Sequence, residues 1–236
     1  MNSLREKCAI TLITSLAFSA IITLALTSST HLYAQSEVFP IGSKPHGLSY
    51  GEWSAEWWKW LDGIPKDRNP AADKTGAFCS ENQNATGPVW FLAGTWGSKE
   101  ERSCTVPFGK SMLVSPIEML CSTAEHGLTS EEEMRKCAKQ DQDKVNLVRV
   151  KVDGVDVPDV TDYRVQSPLF NLSLPEDNTI GVPAQETPAV SDGYFVLLKP
   201  LSRGEHEIRS TGSLADVTVQ GTQNFASDVI YHITVE

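Results

Sequence analysis

The chain has 236 residues, with 20 Lys and Arg against 30 Asp and Glu and a net charge of −10. That acidic balance speaks against nucleic acid as a partner, because its binding relies on cationic side chains that neutralise phosphates. Apolar residues make up 40% of the chain and no low-complexity tract interrupts them, so a packed core is expected.

The first 34 residues read as an export signal. Arg5 and Lys7 precede a nearly unbroken apolar or hydroxylated run over residues 9–27, and Ala34 before Gln35 offers a cleavage position. Leu32 stands where a smaller residue is usual. The expected organisation is a signal peptide over 1–34 and one exported β-rich domain over 35–236 with a helical N-terminal elaboration. Retained, the run of about 19 residues would be an anchor, with membrane contact confined to 9–27. Cys8 lies before the run, not after it, so no lipid-modified cysteine is expected. Removing Arg5, Glu6 and Lys7 with the signal leaves 18 basic and 29 acidic side chains, a net charge of −11.

Ser49 followed by Glu52 has the spacing of a capping box and predicts a helix start. At 100° per residue Tyr50, Trp53, Trp57, Trp60 and Leu61 share an arc of about 100°, with Glu52, Glu56 and Lys59 opposite. The stripe reads as core. Gly63 predicts a left-handed stop and Pro65 prevents resumption. Residues 66–87 show no periodicity, which predicts a loop of about 20 residues pinned by Cys79, a length often associated with function.

Strands are expected over 87–95, 102–107 and 110–116. A polar surface helix follows, opened by Thr129 with Glu132 and reaching about Gln140, held by Cys137. Val148, Val150 and Val152 alternate with Arg149 and Lys151 ahead of the turn pair Asp153-Gly154, the pattern of a half-buried hairpin. Further strands are expected over 163–166, 169–174, 193–199 and 205–209 and at the alternating Val229, Tyr231, Ile233 and Val235. The fold class is therefore mainly β: an antiparallel β-sandwich with a Trp-rich N-terminal helix and a second short surface helix.

Cys79, Cys104, Cys121 and Cys137 follow the signal. An even number in an exported chain reads as two disulfides. Three pairings are open, and proximity along the chain favours Cys79 with Cys104 and Cys121 with Cys137. A thiolate metal site is disfavoured, since no two of these cysteines have zinc-knuckle spacing.

No Gly-x-Ser-x-Gly elbow and no zinc-peptidase helix motif occurs, and His46, His126, His206 and His232 lack a partner motif. No catalytic residue, metal or cofactor is assigned. Glu52, Glu56, Asp62, Asp67, Asp73 and Glu81 surround the Trp-rich segment, which leaves a carbohydrate-active hydrolase as one alternative. Calcium at the Asp and Asn residues of 67–84 lacks EF-hand spacing. Trp58 departs from the helix stripe and Trp96 lies in a Gly-flanked loop, so Trp58, Asp73 and Trp96 are the candidate ligand or partner contacts. Asn84 and Asn171 each begin a glycosylation acceptor pattern.

The segments Tyr50-Gly51-Glu52-Trp53-Ser54-Ala55-Glu56-Trp57-Trp58-Lys59-Trp60, Gly87-Pro88-Val89-Trp90-Phe91-Leu92-Ala93-Gly94-Thr95, Cys104-Thr105-Val106-Pro107-Phe108-Gly109-Lys110 and Asp192-Gly193-Tyr194 with Pro200-Leu201-Ser202-Arg203-Gly204-Glu205-His206 together resemble an uncharacterised family of exported prokaryotic proteins. The last segment is also similar to a turn and strand of many extracellular sandwich domains. The resemblance spans nearly all of 35–236 and implies one exported unit without transferring any catalytic residue. The expected function is a non-catalytic binding or scaffolding protein of the cell envelope, with an envelope protein or glycan as partner. A hydrolase and an anchored accessory subunit of a membrane complex are the alternatives.

Overall fold

The computed structural model describes residues 37–215 and 224–236; the expected signal peptide lies outside the described residues. Helix α1 spans Tyr50–Asp62, capped by Ser49 and Glu52 in the expected reciprocal box. Losing such a cap costs about 1 kcal/mol. The helix does not end as expected. Gly63 has φ −74°, a right-handed value, and donates its N–H to Lys59 O. A Cβ at Gly63 would lie 2.7 Å from that carbonyl, so close approach and not a left-handed turn favours glycine here. Asn69 then supplies Nδ2 to Leu61 O at 2.7 Å and to Ile64 O at 3.2 Å, satisfying carbonyls that the helix end leaves free.

Among the described residues ten strands form two sheets. The first contains β1 (Val89–Leu92), β3 (Ser111–Ser122), β8 (Gln185–Leu198), β6 (Arg164–Gln166) and β7 (Phe170–Leu174), the last two both pairing with β8. The second is ordered β2 (Lys99–Val106), β10 (Asn224–Val235), β9 (Gly204–Ala215), β4 (Val145–Val152) and β5 (Val155–Asp156). The mainly β, sandwich-like fold matches the sequence reading, with one correction: the sheets are mixed. β1 pairs with β3, and β2 with β10, in parallel. The cause is a crossing between layers. β2 separates β1 from β3 in sequence but belongs to the other sheet, so the chain leaves the first sheet and returns to it in the same direction.

The sheets meet through Trp90, Leu92, Met112, Val114, Val196 and Leu198 on one side and Val150, Ile208, Val229, Tyr231, Ile233 and Val235 on the other. The opposite face of the first sheet carries α1: Tyr50, Trp53, Trp57, Trp60 and Leu61 pack with Val89, Ala93, Leu113, Phe195 and Leu197. The order is helix, sheet, sheet. Each fully buried large apolar side chain in these layers contributes about 1.5–3 kcal/mol.

The short helix α2 (Thr123–His126) follows β3, and α3 covers Glu131–Gln142. The cap of α3 is Ser130 with Glu133, one residue beyond the expected Thr129 and Glu132. Both pairs have similar spacing, and Glu133 Oε2 accepts from the N–H of Thr129 as well as from that of Ser130. The β4 to β5 hairpin turns at Asp153 and Gly154 with φ of 49° and 78°, the geometry that Asp-Gly pairs favour.

Both favoured disulfides are present, Cys79 to Cys104 and Cys121 to Cys137, which fits an oxidising, extracytoplasmic environment. The first ties the 66–87 segment to β2; the second ties α3 to β3. Non-reducing peptide mapping is expected to recover these two linkages and no alkylatable thiol among the four cysteines. A Cys79 to Cys121 linkage would contradict the pairing. No helix among the described residues is long and apolar enough to cross a membrane.

Candidate functional site

The 66–87 segment is not a slack loop. It contains a 3-10 turn at Lys66–Arg68, and Asp73 organises its middle. Asp73 Oδ1 accepts from the Thr75 N–H at 2.8 Å and hydroxyl at 3.0 Å, and Oδ2 accepts from the Phe78 N–H at 2.8 Å. Burial pushes this carboxyl up, but these donors, with the Gly76 N–H, outweigh it and hold it below the usual range. Asp73 is itself buried, so its carboxylate serves the loop's own structure.

Arg102 helps to decide where that loop sits. It is 1% exposed and has no carboxylate partner among the described residues. Nε donates to Asp73 O at 2.7 Å and Nη2 to Ala71 O at 3.2 Å. Nη1 donates to Ala93 O at 3.1 Å, to Gly94 O at 3.0 Å and to the Tyr231 hydroxyl at 2.8 Å. One guanidinium thereby joins the 66–87 segment, the end of β1 and β10. Trp96 lies two residues past Gly94, 50% exposed, on a turn fixed by the Thr95 hydroxyl to Ser98 O at 2.8 Å. The backbone anchoring Trp96 and that anchoring Asp73 thus converge on Arg102. Nothing in the sequence marked this arginine, which reads there as one cation in a charged strand.

Trp58 belongs elsewhere. At 100° per residue Ala55, Trp58 and Asp62 form a second stripe on α1, beside the aromatic one. Ala55 and Trp58 pack with Phe170, Leu172 and Leu174 of β7, where Leu120, Ala124, Ile180 and Val182 add walls. Trp58 stands edge-on to Trp57 with ring centroids 5.1 Å apart. Asp62, 4% exposed, accepts from the Thr179 hydroxyl at 3.1 Å through Oδ1. Thr179 sits in the β7 to β8 connection, which Asn178 braces through Nδ2 to Pro175 O and Val182 O and through Oδ1 from Gly181 N–H.

Two polar atoms at this junction have no hydrogen-bond partner among the described residues: Trp58 Nε1 and Asp62 Oδ2. Both are buried, and an unmade hydrogen bond there costs about 1–3 kcal/mol. Among the described residues three further buried side-chain atoms are unpartnered, Trp90 Nε1, Gln142 Oε1 and Ser210 Oγ, each on a different element. Only Trp58 and Asp62 combine a donor and an acceptor one turn apart on one helix. Burial pushes the Asp62 carboxyl up to about 7; the Thr179 hydroxyl opposes the shift and the nearby Glu125 adds to it. Perturbed carboxyls of this kind concentrate at functional sites.

A linkage prediction follows. With an unfolded value of 3.8 and a folded value of about 7, the native state holds the extra proton over that interval, so Asp62 withdraws stability as pH rises through it. Asp62→Asn keeps an acceptor for Thr179 and removes the titration. Its midpoint in thermal unfolding should therefore gain on the wild type between about pH 4 and pH 7, and the difference should level off above that. A difference constant with pH would mean that Asp62 is ionised throughout.

Glu118 is a second carboxyl that burial pushes up to about 7, against the Ser115 hydroxyl 2.6 Å from its Oε2. It faces Gly193 across the β3 to β8 ladder. That places it on the α1 side of the first sheet, with Phe195 and two residues before Leu120. Composition gave no hint of either shift, because each arises from the layers that close over the side chain.

Two other groupings have familiar outlines. His206 Nδ1 is 2.8 Å from Asp153 Oδ2, and Nε2 is 3.3 Å from Ser202 Oγ, the connectivity of a Ser-His-Asp triad. Nε2 is closer, however, to the Ser202 carbonyl at 3.0 Å. Acceptors at both ring nitrogens favour the imidazolium, which has no lone pair to take a serine proton. Burial pulls this histidine down, but the Asp153 and Ser202 acceptors outweigh it and raise the value. His126 lies with Cys121 and Cys137, whose sulfurs are in a disulfide and offer no thiolate.

No family model matches the chain, and no curated protein does. A solved structure titled "Structure of PbICP-C in complex with falcipain-2" aligns over 64% of this chain and 100% of that one, at 9% identity and a TM-score of 0.24. A likeness that low carries no argument about fold or function.

Proposed function

We propose that this is an exported, non-catalytic binding protein of the cell envelope that engages its ligand where α1, β7 and the β7 to β8 connection meet. The observation that carries this reading is the unpartnered donor and acceptor pair of Trp58 and Asp62. Native interiors satisfy nearly all buried polar groups, so such atoms are where ordered water or a ligand atom would be received. The disulfides and the resemblance to exported prokaryotic proteins support the location. Trp58 is half-buried, which leaves part of its ring for contact while its N–H points inward. Trp96 is half exposed and lies apart from this junction, and a scaffolding contact is the reading there.

Wild-type protein immobilised on resin should retain a component of envelope extract, and Trp58→Ala should lose it while unfolding at a denaturant midpoint close to wild type after allowance for the lost packing. Equal retention by both proteins would remove Trp58 from the contact surface. The second reading, a carbohydrate-active hydrolase, draws on Asp62 and Glu118, two carboxyls raised to about 7 on the α1 side of the first sheet. Turnover on a panel of glycoside substrates that Asp62→Asn abolishes would favour it over binding alone.

A further inference from the structure

Independently of the α1 and β7 junction, we infer that the Cys121 to Cys137 disulfide is a latent metal site: once an external dithiol opens it, the two sulfurs and a ring nitrogen of His126 bind copper(I). The two Sγ atoms and one nitrogen of His126 lie within 4.8 Å of one another. Sixteen residues separate the cysteines, so the fold and not a short motif brings the three together. β3 ends at Ser122, whose hydroxyl accepts from the Glu125 N–H at 3.2 Å and starts the single turn of α2. Gly127 closes that turn at φ 66°, a left-handed value suited to glycine, and donates its N–H to Thr123 O at 2.9 Å. His126 is thereby folded back until its Nδ1 is 3.4 Å from the Ser122 backbone nitrogen, beside Cys121. α3 supplies Cys137.

Of the four bonded cysteines only Cys137 is part-exposed; Cys79, Cys104 and Cys121 are buried. Cys137 is therefore the position that an external thiolate reaches first. Its attack on Cys137 Sγ forms a mixed disulfide and expels Cys121 as the thiolate. The second thiol of the same reagent then displaces Cys137, and the reagent leaves as its own cyclic disulfide. Two electrons pass to the protein, which ends with two thiols. α3 keeps its seat without the covalent tie, because Met134 and Ala138 pack with Cys121 and Val190. Gln142 Nε2 also donates to Ile117 O at 3.3 Å, and Arg135 Nη1 to Ser167 O at 2.9 Å.

The donor set selects the cation. Two thiolates and an imidazole are soft ligands, and three of them suit copper(I), whereas structural zinc takes four. Glu125 Oε2 is 3.7 Å from His126 Nδ1, a hard oxygen that zinc could recruit and copper(I) disfavours. Coordination number thus separates the two metals. Binding of copper(I) releases the two thiol protons.

The test uses the protein as recovered after export, treated briefly with dithiothreitol, freed of reagent under nitrogen and titrated with copper(I) against the chelator bicinchoninate. Alkylation before the titration should label Cys121 and Cys137 ahead of Cys79 and Cys104. The reduced protein should then take one equivalent from the chelator and the oxidised protein none, with two sulfurs and one nitrogen around copper by X-ray absorption. His126→Ala, a change at a part-exposed side chain, should weaken copper(I) at least tenfold and remove the nitrogen. The double variant Cys121→Ser with Cys137→Ser should take up none.

Weakening by less than twofold in His126→Ala would overturn the inference, since any dithiol would then serve. Equal uptake by the double variant would place the metal at other cysteines and overturn it too. So would a four-ligand zinc site that excludes copper(I), or loss of hydrogen-exchange protection throughout α3 on reduction, which would show that the ligands disperse.

Discussion

Replacing Arg102 with methionine is expected to destabilise the protein by about 3–5 kcal/mol, because several buried carbonyls lose a charged donor at once and each acceptor left unsatisfied costs about 1–3 kcal/mol. Methionine fills much of the volume, so the loss reports hydrogen bonding more than packing. The carbonyls of Ala71, Asp73 and Gly94 and the Tyr231 hydroxyl lose the donor that Arg102 gives them, and the Ala93 carbonyl loses one of two. The Tyr231 hydroxyl retains Ala93 O as an acceptor at 2.9 Å, so part of the network survives. Arg102→Lys should recover little, because one ammonium cannot reach acceptors arranged around a planar fork. Urea unfolding monitored by tryptophan fluorescence gives both values. A loss under 1 kcal/mol for methionine would show that the carbonyls find water instead, and that the Cys79 to Cys104 disulfide with the bonds from Ser103 N–H to Thr75 O and from Trp60 Nε1 to Glu81 O suffices to hold the 66–87 segment.

Trp57→Ala is the second large expectation, at about 3–5 kcal/mol for truncating a buried aromatic. Trp57 is fully buried, donates Nε1 to Leu92 O at 3.0 Å, and stands edge-on to Phe195 at 5.8 Å and to Trp60 at 6.1 Å. Truncation opens a cavity between α1 and the first sheet and leaves the Leu92 carbonyl without that donor. Glu56→Ala is the control. The Glu56 side chain is 43% exposed and pairs with Lys59, a surface contact worth about 0–1 kcal/mol. Similar small effects at the two positions would mean that α1 does not dock through its aromatic stripe.

The contrast between those two residues was legible in the sequence, since the 3.6-residue period separates the two faces of a helix wherever the helix comes to lie. The orphaned atoms were not. Trp58 could be read only as standing off the stripe, and Asp62 only as an acid near tryptophans. Whether a side chain off the main stripe meets water or a second wall depends on what the chain brings alongside it, here β7 and the connection after it. Asp73 shows the opposite outcome: a loop aspartate that composition offers to a ligand is consumed by the N–H groups of its own loop.

By itself the sequence determined the aromatic stripe of α1, the capping box at Ser49, the Asp153-Gly154 hairpin and the number of cysteines available for pairing. These depend on local periods, on turn stereochemistry and on composition, all of which act within a few residues. Only the tertiary structure decided the parallel pairings, the carbonyl-lined seat of Arg102, the raised carboxyls of Asp62 and Glu118 and the separation of Trp58 from Trp96. Each of these requires segments distant in sequence to meet, and burial and hydrogen-bond satisfaction are properties of that meeting and not of the residue type.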